Sequence, residues 1–175
     1  MEARERTAPW RGQTYRGDLP DVNVWVALSF SQHPHHDCAQ RYWQSTIERH
    51  NASQAQNAEA IAEQIHFCRH TALGMARVLL QTSAILMQPL TLADAWATYQ
   101  RYRLLPEVSF VGESRDGLEF DTAIGSFIAA QQALPIRFWT DLQLASLAHL
   151  HGLRVVTFDT DFKRFNLDQL LVLEP

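Results

Sequence analysis

The sequence predicts an α/β fold with a mostly parallel central sheet. Short apolar runs typical of buried strands recur along the chain, for example at 155–158. Between them lie longer stretches with apolar residues three and four positions apart, a spacing typical of helices. Strands that alternate with helices form parallel sheets covered by helices. The 175 residues are enough for one such domain.

The N-terminal part predicts an arm followed by the first strand. Residues 1–17 carry four arginines without periodicity, which indicates a flexible arm before a single domain at 18–175. The first strand is predicted at Leu19–Trp25, with Asp21 at its carboxyl end and residues 24–30 leading into a helix. The histidines at 33–36 are contiguous, so we interpret them as residues that open the next helix, over about 35–50, rather than as zinc ligands.

The middle of the chain continues the alternation of helices and strands. The predicted elements are a helix-prone stretch at 51–64, strands at 65–68 and 108–111, and helices at 71–80, 91–104 and 118–133. Thr91 is the predicted N-cap of its helix, with Asp94 at the capping-box position. Gly74 weakens helix 71–80 unless another backbone packs close to it. Helix 118–133 is predicted to turn these residues inward: Phe120, Ile124, Phe127 and Ile128.

The most informative stretch runs from Trp139 to Phe162. Thr140 is the predicted N-cap of an amphipathic helix, which puts Asp141 in the first turn, where a negative charge is favoured. Gly152 ends this helix, and the strand at 155–158 follows it. Asp159 and Asp161 come directly after that strand. A last strand is predicted at 170–173.

Three acidic residues are expected to meet at one edge of the sheet. The carboxyl ends of parallel strands are where ligands collect, and Asp21 and Asp159 both stand at such ends. If their strands are neighbours, Asp141 joins them. Three uncompensated carboxylates in one pocket repel one another, and a divalent cation relieves that repulsion. All-oxygen ligation favours Mg²⁺ or Mn²⁺ over Zn²⁺.

Composition excludes several other classes of protein. The net charge of −4 argues against coating nucleic acid by bulk charge, although a local basic patch remains compatible with it. Cys38 and Cys68 are too few for a disulfide scaffold and lack zinc spacing, which favours a reducing cytoplasmic location. No apolar run is long enough for a membrane span, and no signal peptide is visible. Neither GxxxxGK[ST] nor GxGxxG occurs, so a nucleotide cradle is disfavoured.

Together these segments resemble the PIN-domain ribonucleases, in particular the VapC toxins of toxin–antitoxin modules. The resemblance covers about residues 19–173 and rests on three parts in the right order. These parts are Asp21-Val22-Asn23-Val24-Trp25 with the histidine turn; Phe67-Cys68 through Arg77-Val78-Leu79; and Trp139-Thr140-Asp141 with Leu144-Ala145 and Leu147-Ala148, then Thr157-Phe158-Asp159 and Phe162. The closing part is the most specific.

The resemblance implies a three-layer α/β/α sandwich with a mostly parallel central sheet. It also implies an endoribonuclease that hydrolyses single-stranded RNA with Mg²⁺ or Mn²⁺, as the toxin of a type II module. It assigns Asp21, Asp141 and Asp159 as the catalytic and metal-binding residues. Asn23 and Thr157 match polar neighbours that orient these carboxylates, while Asp161 either assists or faces solvent. It also implies a cognate VapB-type antitoxin and a homodimer. Arg77 is open between an RNA-phosphate contact and an ion pair on the helix face.

One position departs from the family pattern. An acidic residue is usual near the start of the middle helix, and Ala72 stands there instead, with Glu63 or Asp94 as possible substitutes from elsewhere. A second hypothesis is therefore a PIN-like module that has lost catalysis and binds RNA or protein. A weaker third is a metal-dependent phosphatase or DNA nuclease. The tryptophans are expected mostly in the core rather than as base-stacking platforms, namely Trp25, Trp43, Trp96 and Trp139.

Overall fold

The computed structural model describes residues 16–56, 64–85, 87–113, 117–131 and 135–174, which contain five strands and six α-helices. In chain order these elements are β1 (Gly17–Pro20), α1 (Val22–Ser29), α2 (His36–Gln56), β2 (Gln64–Phe67), α3 (Arg69–Ile85), α4 (Leu92–Arg103), β3 (Val108–Phe110), α5 (Leu118–Ala130), α6 (Trp139–His151), β4 (Arg154–Thr157) and β5 (Leu170–Val172). Two 3₁₀ helices, Ile136–Phe138 and Thr160–Phe165, flank α6 and β4.

The five strands form one sheet in the order β3-β2-β1-β4-β5, and every pairing is parallel. β1 lies at the centre, between β2 and β4. Its carboxyl end therefore sits beside those of both neighbours, which is the arrangement that the acidic residues require. The predicted parallel sheet is confirmed.

Apolar residues cover both faces of the sheet. On one face, α1 to α4 pack over a cluster in which Trp25 stacks on Phe67, with ring centroids 3.7 Å apart. On the other face, α5 and α6 pack over a second cluster that includes Leu144 and Phe162, both buried. The three-layer α/β/α sandwich predicted from the sequence is therefore confirmed.

A buried ion pair fixes the two strands that lead to the acidic edge. Asp18 in β1 is fully buried and accepts two hydrogen bonds from the Arg154 guanidinium of β4, at 2.7 and 2.9 Å. Tyr42 of α2 donates a third, at 2.8 Å. A buried carboxylate is tolerated only when it is paired and hydrogen-bonded in this way. The pair therefore fixes β1, β4 and α2 relative to one another.

The first strand is shorter than predicted. β1 ends at Pro20, and residues 22–29 are helical rather than extended. Asp21 is the N-cap of α1, since its side chain accepts the Val22 amide. The β-branched valines that favoured a strand are outweighed by this cap and by burial of their helix. The strand also begins at Gly17, inside the predicted arm, whereas residues 1–15 lie outside the described residues.

Among the other predictions for these elements, some are confirmed and others are wrong. The Thr91–Asp94 capping box is present, and Gly152 ends α6 in the left-handed conformation at φ 65°. Thr140 is not an N-cap: α6 begins at Trp139, and no side chain caps it. Ile128 is 43% exposed rather than inward, because it lies on the outer side of α5. The predicted helical residues 57–63 and 132–133 lie outside the described residues.

The four tryptophans differ in how far they are buried. Trp25 is fully buried, and Trp43 and Trp96 pack partly buried against the same cluster. Trp139 is 59% exposed, so its predicted place in the core is wrong. The reason is its position at the very start of α6, before the buried face of that helix begins. In the described part of the chain, no helix is both long and apolar enough to cross a membrane.

Candidate acidic active site

Asp21 stands at the carboxyl end of the central strand, where β1 passes into α1. Its Oδ1 accepts the Val22 amide at 2.6 Å, which caps the helix. Its own backbone N–H donates to the Val156 carbonyl of β4 at 2.8 Å, so the residue is held from both neighbouring elements. An N-cap carboxylate next to a helix N-terminus is in a site that favours negative charge.

Thr157, the last residue of β4, connects Asp21 to the segment that carries Asp159. Its hydroxyl donates to Asp21 Oδ2 at 3.1 Å and accepts the Asp159 amide at 3.0 Å. The Asn23 side-chain amide donates to the same hydroxyl oxygen at 3.2 Å, while its carbonyl oxygen accepts the Phe158 amide at 3.4 Å. Thr157 is fully buried. The two polar neighbours predicted to orient the carboxylates thus lie between the predicted acids.

The pKa of Asp21 is raised from 3.8 to about 6. Burial is the main cause, and the charges of Asp141 and Asp159 add to it, while the bonds from Val22 and Thr157 oppose it. Two carboxylates from distant segments therefore act on Asp21 through space. The sequence argument predicted that these residues meet at the sheet edge, and the structure places Asp141 and Asp159 near enough for their charges to act on Asp21.

Asp141 lies in the first turn of α6, as predicted, and is partly buried. Burial raises its pKa, and the charges of Asp159 and then Asp161 raise it further. The Thr140 hydroxyl, 3.5 Å from Asp141 Oδ1, and the Arg164 charge act in the opposite direction. The two raised pKa values show that negative charge is crowded at this edge.

Asp159 and Asp161 occupy the turn after β4. Asp159 caps the 3₁₀ helix Thr160–Phe165, since its Oδ1 accepts the Asp161 amide at 2.8 Å. The Asp161 side chain is 42% exposed and lies 3.4 Å from an Arg164 nitrogen. Asp161 therefore faces solvent, and its charge also raises the pKa of Asp141.

Arg164 is a residue of this edge that the sequence reasoning missed. Its guanidinium carbon lies 3.5 Å from the ring centroid of the buried Phe138, and its Nε donates to the Asp161 carbonyl at 3.1 Å. Gln131 binds its backbone carbonyl at 2.8 Å. The guanidinium is thus held in place, and its charge lowers the pKa of Asp141. The spacing of Asp161 and Arg164, three residues apart, was the available signal.

The donor set fits a hard divalent cation in chemistry. All the candidate ligand atoms are carboxylate or hydroxyl oxygens, which Mg²⁺ and Mn²⁺ prefer. Within the described ranges, no three His, Cys, Asp or Glu side chains already stand close enough to hold a metal together. Mg²⁺ usually takes only one or two carboxylates and keeps several waters, so a looser arrangement is compatible with it.

The position of the missing acid is buried. Ala72, in α3, has no exposed surface and packs in the apolar cluster to which α1 and α3 both contribute. Asp94 does not replace it, because the Asp94 carboxylate accepts hydrogen bonds from Thr91 in a capping box at an exposed helix start. Glu63 lies outside the described residues. Arg77 is exposed on α3 and lowers the pKa of His70 by its charge.

Comparison with known proteins identifies the family of this chain. The family profile described as "PIN domain" matches residues 19–167, which include Asp21, Asp141, Asp159 and Asp161. The chain belongs to the PIN-domain family. A curated PIN-family relative, "Ribonuclease VapC41" of Mycobacterium tuberculosis, is 34% identical over 158 residues, covering 89% of this chain and 97% of the relative; it matches in two strains.

Solved structures show the same fold. The crystal structure of Mycobacterium tuberculosis VapC20, described as a "Sarcin-Ricin loop cleaving toxin", aligns with a TM-score of 0.57 at 13% identity and covers 90% of this chain and all of that one. VapBC2 from Rickettsia felis, bound to a promoter DNA fragment, aligns with the same TM-score at 16% identity, covering 90% and 98%. At these identities the likeness supports the PIN fold of the chain.

Proposed function

We propose that this protein is a divalent-metal-dependent endoribonuclease that cleaves single-stranded RNA. The observation that carries the proposal is the meeting of Asp21, Asp141 and Asp159, which come from distant segments yet act on one another at the acidic edge. The 34% identity to a ribonuclease over nearly the full length of both chains supports it. Asp21, Asp141 and Asp159 would hold Mg²⁺ or Mn²⁺.

Each side chain has a defined task in this proposal. Thr157 and Asn23 hold the Asp21 carboxylate and the Asp159 backbone in place through the shared hydroxyl. A divalent cation held by these residues would lower the pKa of a water molecule and would neutralise charge on the phosphodiester. Both acids with raised pKa values must be ionised to accept the cation, and its positive charge favours that ionised form.

The test is cleavage of an end-labelled single-stranded RNA by metal-stripped protein to which Mn²⁺ or Mg²⁺ is returned. The wild type is expected to cut, and EDTA is expected to stop it. Asp141→Asn should abolish cutting. Asp121→Asn is the matched control, because Asp121 also stands in the first turn of a helix, α5, but is exposed there. Equal cleavage by wild type and Asp141→Asn would overturn the proposal.

A second function is favoured by Ala72. That position offers no polar atom and is closed off in the core, so the site has one carboxylate fewer than the family pattern. The corresponding proposal is a PIN-like module that binds single-stranded RNA without cutting it. Fluorescence anisotropy with labelled RNA decides: binding with the RNA intact in the presence of Mn²⁺ supports this second function.

The biological role proposed is that of a toxin restrained by a VapB-type antitoxin. Expression of the chain alone is expected to inhibit growth, and Asp141→Asn should relieve that inhibition. Co-expression with the product of an adjacent small open reading frame should relieve it too. No inhibition by the wild-type chain at a confirmed expression level would contradict the role. A homodimer stays a prediction, to be measured by light scattering.

A further inference from the structure

A cavity of about 290 Å³ opens at the carboxyl ends of β2 and β3. Its walls come from four elements: the start of α3 with Arg69 and His70, the end of β3 with Phe110, α5 with Phe120, and α6 with Gln143 and Leu144. None of these residues belongs to the acidic site described above. A cavity of this size is at the lower end of the range for small-ligand pockets.

The cavity lies next to the acidic edge. β2 pairs directly with β1, and β1 leads to Asp21. On the other side, Gln143 and Leu144 follow Asp141 in the same helix by two and three residues, a rise of about 3–5 Å. An RNA strand with one phosphate at Asp21 and Asp141 therefore places its neighbouring nucleotides within the region of this cavity.

The walls combine apolar surface with a guanidinium. Phe120, Leu144 and Leu147 are buried and form the apolar part. The Arg69 guanidinium carbon lies 5.2 Å from the Phe110 ring centroid, and Arg69 itself is exposed. Proteins hold unstacked bases of single-stranded RNA against aromatic rings and arginine planes of this kind.

Polar groups on the wall suit the edge of a base. In the part of the chain that the structure describes, the Gln143 side-chain amide has no hydrogen-bond partner, although it offers both donors and an acceptor. Burial, and then the charge of Arg77, lower the pKa of His70, so its ring is neutral at pH 7 and also offers one donor and one acceptor.

The charge on the walls argues for a base rather than a phosphate. The cation Arg69 is opposed by Glu113, which lines the same cavity. A phosphate site collects positive charge and backbone amides, whereas this cavity is close to neutral and mainly apolar. We propose that it binds one unstacked nucleobase beside the cleaved bond of the RNA, with Gln143 and Arg69 selecting that base. This inference rests on the proposed ribonuclease function.

The experiment compares cleavage of a random-sequence single-stranded RNA library by four proteins, with the new ends sequenced. They are the wild type, Gln143→Leu, Arg69→Gln and Arg103→Gln. Arg103 is the matched control, because its guanidinium also lies over Phe110, at 5.6 Å, but it does not line the cavity. Thermal melts confirm that each variant folds. A parallel arm measures anisotropy of labelled RNAs on the same substitutions in an Asp141→Asn background.

We expect a base preference at one position beside the cut. Gln143→Leu and Arg69→Gln should reduce that preference, or the affinity for the preferred RNA, about fivefold to tenfold, and Arg103→Gln should leave both unchanged. Cleavage with identical preference and affinity in all four proteins overturns the base pocket and leaves the ribonuclease proposal standing. Absence of cleavage by the wild type overturns the ribonuclease proposal, and the anisotropy arm then decides the pocket by the same comparison.

Discussion

The hydroxyl of Thr157 donates a hydrogen bond to the Asp21 carboxylate at 3.1 Å, although 136 residues separate the two along the chain. The same oxygen accepts the Asp159 amide and the Asn23 side-chain amide. Thr157 is fully buried, so among the described residues these hydrogen bonds replace the ones that its hydroxyl would make with water. One hydroxyl therefore fixes the relative positions of two predicted metal ligands.

Replacing Thr157 with valine keeps the shape and removes the hydroxyl. We expect the free energy of unfolding to fall by about 1–3 kcal/mol, because buried partners lose a hydrogen bond. We also expect RNA cleavage to fall about 10- to 100-fold, since Asp21 and Asp159 lose their common support. Urea denaturation and the RNA cleavage assay measure the two effects.

Thr157→Ser retains the hydroxyl and should restore most of the activity. Thr122→Val is the control for stability, because the Thr122 hydroxyl bonds only the Leu118 carbonyl on the exposed side of α5. It should change stability by no more than about 0.5 kcal/mol. If Thr157→Val and Thr122→Val change the free energy of unfolding equally, the hydrogen bonds of Thr157 do not stabilise the protein more than an exposed hydroxyl does.

The raised pKa of Asp21 predicts how stability depends on pH in the absence of divalent metal. Its pKa is about 6 in the folded chain against an ordinary 3.8, so the folded state binds this proton more tightly than the unfolded state. The associated stability is fully present below about pH 4 and is lost as pH rises through about 6. The loss amounts to roughly 3 kcal/mol.

Asp21→Asn isolates this contribution, because asparagine is also a good N-cap and does not ionise. The unfolding free energy of the variant relative to the wild type should increase between pH 4 and pH 7 in EDTA. Urea denaturation at several pH values in that range measures it. Mn²⁺ should narrow the difference at pH 7, where the cation stabilises the ionised wild type. A difference that stays constant with pH would show that Asp21 keeps an ordinary pKa.

Packing between α3 and α1 predicts a second effect on the same edge. Gly74 of α3 faces Val22, the residue after Asp21, and a Cβ added at Gly74 would lie 2.5 Å from Cγ2 of Val22. Gly74→Ala should therefore destabilise the fold by about 1–3 kcal/mol and lower activity by displacing the start of α1. Thermal and urea unfolding, with the cleavage assay, measure both.

Gly125→Ala provides the opposite case. Gly125 lies within α5, and an added Cβ there meets nothing within 4 Å, so the substitution removes only the flexibility of glycine. It should stabilise the protein by about 0.5–1 kcal/mol. Stabilisation of similar size by both substitutions would mean that helix propensity, not the contact with Val22, controls position 74.

Local sequence patterns predicted the alternation of strands and helices and the parallel sheet, whereas the three layers were implied by the family resemblance. The apolar run at 155–158 and the spacing of Leu144 and Leu147 in α6 reflect burial that any fold of these segments must satisfy. Asp21 and Asp159 follow strands, and parallel pairing then brings strand ends together without further information. Gly74 was predicted to weaken its helix unless another backbone packs close to it, and its close neighbour is instead the Val22 side chain.

What sequence patterns missed depends on contacts between distant residues. Residues 22–25 favour a strand by composition, and the outcome depends on a cap at Asp21 that is itself held by Val156 and Thr157. The stacking of Arg164 on Phe138 joins two turns whose geometry has no periodic signal. The burial of Ala72 likewise follows from how α3 packs on α1, which spacing along the chain does not encode.

Arg164 supplies the last prediction. Burial and then the charges of Asp159 and Asp161 raise the pKa of Asp141, and the charge of Arg164 lowers it. Arg164→Met keeps an apolar side chain against Phe138 and removes the charge, so the pKa of Asp141 should rise further. Because the proposed site needs ionised Asp141, the acidic limb of the pH–rate profile should move to higher pH. Carbon-13 NMR titration of the Asp141 carboxyl measures the same shift without relying on cleavage.

Arg137→Met is the control for Arg164, because Arg137 also lies over Phe138, at 4.5 Å, and within the described residues it forms no ion pair with the acidic residues. It should leave both the carboxyl titration and the pH–rate profile unchanged. A shift of equal size in the two variants would assign the effect to loss of ring stacking at Phe138. A shift confined to Arg164→Met shows that its charge, held by Asp161 and Phe138, sets the ionisation of Asp141.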